Sequence, residues 1–221
     1  MLALAQLLQP HLSWPTYDSI RIGLRYNSGS FKLFTRGDDR QSPSVQLYLN
    51  DDVNFFEHVG QLSEFIIPHR ITHLDVGSSC ESRHGVSQAL SLIAPSIQTI
   101  FITVHEGIVL DFLTDEDSSL DFSSLREIYI NWPSERSAPE KGKTHWNGLR
   151  SWIERVGAKQ LETLHLEGTN HYIDHWGLGR VLETLEKHKS KCRLVDKRVI
   201  YGARINYEPA SGRREKWDWS T

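Results

Sequence analysis

The sequence is short of most residues that announce a chemistry. Two cysteines occur in 221 residues, Cys80 and Cys192. They make no disulfide framework and no zinc spacing, which fits a reducing cytoplasmic or nuclear compartment. One Cys80–Cys192 bridge is the pairing open to them, and plain thiols are the commoner state. No apolar run approaches the ~18 residues of a membrane span. The opening stretch 1–12 is apolar but lacks a basic flank and a small-residue cleavage site, so it reads as a short helix ending near Pro10. Charge of one sign is also missing. Lys plus Arg number 25 against 28 Asp plus Glu, a formal net of −3, which gives no field suited to nucleic acid or a membrane surface. Catalytic signatures are absent as well. There is no Gly-x-Ser-x-Gly, and Gly177-Leu178-Gly179 lacks the Lys-Ser/Thr of a phosphate loop. The acidic run 115–117 lacks the alternating oxygens and glycine of a calcium loop. These gaps point away from an enzyme and imply no cofactor.

What is present is a recurring strand unit. In Ile71-Thr72-His73-Leu74-Asp75-Val76 the apolar residues fall at offsets one, four and six. The same offsets return as Ile97, Ile100 and Ile102, as Leu125, Ile128 and Ile130, and as Leu161, Leu164 and Leu166. A weaker copy has Ser44 at the first position, with Leu47 and Leu49 after it. First positions at 44, 71, 97, 125 and 161 are separated by 27, 26, 28 and 36 residues, a near-fixed period of the kind that marks stacked arrays. One strand and one return segment cannot bury an apolar face alone, whereas stacked copies bury a continuous one. Side chains alternate along a strand, so offsets four and six face one side and offset five faces the other. An ordinary α/β domain with parallel strands is the alternative reading of the same pattern.

The best local match, Leu161-x-x-Leu164-x-Leu166, resembles the leucine-rich repeat. The resemblance spans roughly residues 44–170 and departs from the family at offset nine, where Ser79, His105, Pro133 and Thr169 replace the usual Asn or Cys. It implies an α/β leucine-rich-repeat-like solenoid, with a parallel sheet on one side and helices on the other face. The irregular copies and the long insertion 132–144 resemble the repeat region of fungal F-box proteins. That likeness implies a protein partner and substrate recognition linked to a ubiquitin ligase. An F-box is itself a helical segment near the N-terminus, whereas the first 44 residues read as one short helix and a hairpin.

Along the chain, residues 1–208 read as a single irregular repeat domain, with 209–221 as a tail. Residues 1–43 form an N-terminal cap, 44–170 carry the repeats and 171–208 form a C-terminal cap. Within the first cap, 20–24 and 31–34 read as a hairpin around Asn27-Ser28-Gly29. Alternatively, Ile22 and Leu24 form an atypical first repeat. Helical spacing is expected over 53–62, 86–93, 146–156 and 178–185, and terminal strands over 193–195 and 199–201. The segment from His165 through Glu167, His171, Asp174 and His175 is rich in potential ligands, but its spacing matches no metal motif. Offset five gives the candidate partner-binding set. Tyr48, Asp75, Phe101, Tyr129 and His165 are expected side by side on the outward sheet face, ~5 Å apart. Three aromatics among five such positions suit protein contact. The rival site, for an enzyme on an ordinary sheet, is the strand ends near Ser78, His105, Trp132 and Glu167.

Overall fold

The computed structural model describes residues 9–25, 28–36, 44–49, 59, 61, 66–77, 90–103, 120–132, 149–154, 160–170, 175–197 and 199–200. The expectations for 1–8, for most of 53–62, for 78–89, for the insertion beyond Trp132 and for the tail lie outside them.

The strands are β1 (Ser19–Arg25), β2 (Ser28–Phe34), β3 (Val45–Leu49), β4 (His73–Gly77), β5 (Thr99–Thr103), β6 (Glu127–Trp132), β7 (Thr163–Asn170), β8 (Arg193–Asp196) and β9 (Val199–Ile200). They form one sheet in the order β3-β2-β1-β4-β5-β6-β7-β8, with β9 paired to β7. The two pairings within β1–β3 are antiparallel, and every other pairing is parallel. The chain is therefore α/β with a mostly parallel sheet.

Four of the five strand copies lie next to one another in chain order, as β4 to β7. The fifth does not. The segment beginning at Ser44 forms β3, at the sheet's edge, antiparallel to β2. The place beside β4 belongs to β1, which pairs with it in parallel, Ile20 opposite Leu74 and Ile22 opposite Val76. A two-residue connection at 26–27 lets β1 and β2 pair only as a hairpin, and the other edge of β1 is left for β4. The hairpin reading of 20–34 holds, and β1 is in addition a parallel strand; the alternative alignment on Ile22 and Leu24 does not hold, since it is Ile20 and Ile22 that stand opposite Leu74 and Val76. The difference shows at offset one. Ser44 is exposed, whereas Tyr17, Ile71, Ile97, Leu125 and Leu161 are all buried. Tyr17 stands three and five residues before Ile20 and Ile22, which makes 17–22 a unit with an aromatic in first place.

One backbone pattern starts β1, β4, β5 and β6. A main-chain N–H at offset one donates to the carbonyl three residues earlier, from Tyr17 to Trp14, Ile71 to Pro68, Ile97 to Ala94 and Leu125 to Phe122, at 3.0–3.4 Å. Pro15, Pro68 and Pro95 favour these turns, because proline fixes φ and needs no donor partner there. The next carbonyl accepts two N–H groups from the following unit. Asp18 O takes Thr72 and His73, Thr72 O takes Gln98 and Thr99, Gln98 O takes Arg126 and Glu127, and Arg126 O takes Glu162 and Thr163, all at 2.7–3.1 Å. Ser96 ties two units further. Its Oγ lies 2.7, 2.9 and 2.8 Å from the carbonyl oxygens of Pro68, Ile71 and Ile93, and its single hydrogen can serve one of them at a time.

The inward rows follow from this register. Leu33, Ile20, Leu74, Ile100, Ile128 and Leu164 lie across the sheet in one row, and Phe31, Ile22, Val76, Ile102, Ile130 and Leu166 in the next. All are buried. The helical residues Leu149, Trp152 and Ile153 join the same core, as do Leu178, Val181 and Leu185 of helix α1 (His175–Lys187). Their three- and four-residue spacing presents one apolar stripe to the sheet. Helix α1 ends in a Schellman motif: Ser190 N donates to Leu185 O and Lys189 N to Glu186 O, both at 2.9 Å. The left-handed position that this motif requires is filled by Lys189, at φ 53°. In β7, Gly168 takes φ 96°, just before the partner on that edge changes from β8 to β9.

Leu164 is fully buried in the central row. Leu164→Ala should cost roughly 2–5 kcal/mol in urea unfolding, and a loss under about half a kcal/mol would contradict its place there. Lys189→Gly relieves a side chain held in the left-handed region and should raise stability by roughly 0.5–1 kcal/mol, read as a higher melting temperature.

Candidate functional site

The parallel register fixes one outward row at offset five. It runs Arg21, Asp75, Phe101, Tyr129, His165, Val195. Asp75, Phe101, Tyr129 and His165 are thus brought together as expected. Tyr48 is not. It shares the outward face but pairs with Ser30, two residues along β2 from the Lys32 that lies across from Arg21. The strands β2 and β1 separate it from Asp75. Arg21 takes the place assigned to Tyr48, because β1 rather than β3 is the neighbour of β4.

The three rings form a stack. Phe101 and Tyr129 centroids are 4.6 Å apart at 21°, and Tyr129 and His165 are 3.9 Å apart at 4°. His73 continues the array more loosely, 6.4 Å from Phe101. Adjacent parallel strands are spaced at about the thickness that stacked rings need. The rings therefore cover one another's faces, and all three residues are half-buried rather than open. The far face of Phe101 is covered too, since the Arg36 guanidinium sits 3.4 Å from its centroid. Arg36 reaches there because its own segment is tied down. Its N–H donates to Asp18 Oδ1 at 2.9 Å, and Thr35 Oγ1 donates to Thr16 O at 2.8 Å. An exposed cation over a ring contributes about 0.5–1 kcal/mol. On the hairpin side, Arg21 donates from Nε and Nη2 to Asp75 Oδ2, each at 2.7 Å.

Carboxylates border the other end. Tyr129 Oη points to Glu127 Oε2 at 3.4 Å, at the weak limit for such a bond. Burial pushes the Tyr129 phenol up and the Glu127 charge adds to this, so the phenol stays protonated and offers a donor. Burial pushes the His165 imidazole below its ordinary value. Glu127 and Glu167 oppose that shift, while Lys197 and Arg193 reinforce it. Its Nδ1 is buried with no hydrogen-bond partner among the described residues, so a proton there would meet no acceptor. Glu167 pairs with Lys197 at 3.8 Å.

Of the rival strand-end positions, Ser78 and His105 lie outside the described residues, as do Cys80, His171 and Asp174. Cys192 is a free thiol, which burial pushes up to about 11. It is a poor nucleophile at neutral pH. Among the described residues no group of three His, Cys, Asp or Glu could hold a metal, and no helix is long and apolar enough to cross a membrane. A cleft of about 550 Å³ opens between Ser123, Arg126, Gln160, Glu162, Lys189 and Lys191. It lies at the turns entering β6, β7 and β8. Ligands of open parallel sheets bind instead at the carboxyl ends of the strands.

Two members of the outward face carried little signal. Arg21 becomes visible once an aromatic is accepted at offset one of a unit. Arg36 follows no period, and only the folded segment shows where its side chain goes. No protein-family model matches the chain, and comparison with curated proteins and with solved structures finds no match.

The folded state holds His165 below its unfolded value, so near and below pH 6.5 the unfolded chain binds more protons and stability falls as pH falls. The His165 Cε1–H resonance should titrate with a midpoint below 6.5. His165→Phe should lose less stability between pH 7 and 5 than wild type, and equal losses would remove His165 from this role.

Proposed function

We propose that the chain is a protein-recognition module, a leucine-rich-repeat-like solenoid that binds its partner through the outward face of the parallel sheet. One observation carries the reading: the stack of Arg36, Phe101, Tyr129 and His165 on the face away from the main core. A sheet needs no such arrangement on its solvent side. These groups are mutually braced, so a partner meets rings and tips that have already lost their conformational freedom. Pre-organised aromatic and arginine side chains of this kind are where binding energy concentrates. The order β4-β5-β6-β7 and the repeated carbonyl rung support the solenoid, because each unit touches mainly its neighbours. Substrate delivery to a ubiquitin-ligase scaffold is the setting that the family resemblance offers for such a module.

Affinity capture from native lysate, with wild type and Phe101→Ala/Tyr129→Ala as parallel baits, tests the face. The double variant should keep its fold by circular dichroism and lose at least ten-fold of a specific partner, since two interface anchors of this kind contribute more than about 1.4 kcal/mol. A partner retained equally by both baits would refute the assignment.

A further inference from the structure

Among the described residues nothing pairs with the outer edge of the sheet at β3. Edge strands are usually blunted by a charged side chain, a proline, a bulge or a covering segment. Val45-Gln46-Leu47-Tyr48-Leu49 contains no charge and no proline, and its five-residue register with β2 runs without a bulge. No backbone hydrogen bond from another described residue reaches its outer side. Tyr48 is 71% exposed. Val45 and Leu47 extend the inward rows of Leu33 and Phe31 yet are only half-buried. The apolar core is therefore unfinished at this end.

The strand is also complementary to itself. In an antiparallel pair of two copies centred on Leu47, Leu47 pairs with Leu47 of the second copy, Val45 with Leu49, and Gln46 with Tyr48. Apolar residues meet apolar ones in the first two pairings, and polar meets polar in the third. Other registers pair less of the strand. A shift of two residues either way leaves three of the five positions of Val45–Leu49 opposite one another. One-residue slips bring the wrong faces together. Pairing also supplies each free N–H and carbonyl of the edge with a partner.

We infer that β3 is a homodimerisation edge, where two copies pair antiparallel about a two-fold axis at Leu47 and join their sheets into one. The contact is isologous, so it closes at two copies. The occupant is a second copy rather than an unrelated strand, because one register satisfies all five positions with this chain's own sequence.

The test is Gln46→Glu/Tyr48→Glu. Both residues are exposed, and position 46 lies opposite Lys32 of β2, so the monomer's circular dichroism and melting at high dilution should not fall. In the pair, the glutamate introduced at 46 in each copy would stand opposite the one introduced at 48 in the other, and like charges directly opposite are destabilising. Light scattering across a concentration series should show wild type rising from 25.4 kDa to twice that mass, with the variant staying at 25.4 kDa. In wild type, the amides of residues 45–49 should gain exchange protection as concentration rises. A wild type that remains monomeric at its highest soluble concentration overturns the inference. So does a variant that dimerises equally well, or growth beyond two copies. The outward-row double variant Phe101→Ala/Tyr129→Ala should dimerise normally, so failure of the recognition reading and failure of this one are separable.

Discussion

The four parallel strands β4 to β7 are each begun by the unit before. A single carbonyl, of Asp18, Thr72, Gln98 or Arg126, accepts two N–H groups from the next unit, and that shared acceptor locks the register at the first residue of the strand. The rest follows from it. With the register fixed, the inward aliphatics fall into two unbroken rows, and the outward residues at offset five fall into one. An error of a single residue at the rung would turn every following side chain to the wrong face. The turns that precede the rung, with their prolines and Ser96, are thus as much part of the specification as the apolar rows.

The outward stack is a by-product of the same spacing. Flat rings on adjacent parallel strands in register have little choice but to lie against one another. That Phe101, Tyr129 and His165 occupy three successive positions, with Arg36 as an end plate, converts a geometric necessity into a stiff surface. Its polarity is graded. Arg21 and Asp75 neutralise each other at one end, and Glu127 and Glu167 lie by the ring tips at the other.

How much of this was legible depended on whether a feature was periodic. The offsets one, four and six located β4 to β7 and named Asp75, Phe101, Tyr129 and His165 as neighbours, since alternation and register are both written into local spacing. Tyr48 was misplaced because Leu47 and Leu49 satisfy any half-buried strand, and the missing apolar residue at Ser44 was the discriminating sign. The segment 20–24 reads as a hairpin strand or a cap, and its alignment on Tyr17 is hidden because aliphatics stand in first place in the other units. Arg36 is out of reach of periodicity, since the contact between a residue just after β2 and a ring on β5 follows tertiary placement and not sequence spacing.

Strand β8 differs from β4 to β7 in a way that bears on how the molecule comes apart. Where its predecessors place a buried aliphatic at offset one, β8 has the exposed Lys191, and opposite Leu166 it sets Asp196. Only Arg193 N takes the rung carbonyl of Glu162, because Cys192 N bonds to Ser190 Oγ instead. Local opening starts where buried apolar contacts and backbone hydrogen bonds are fewest. Fraying should then begin at β8 and run inward, so under mechanical load or protease the chain would unzip from this side while the hairpin end still held.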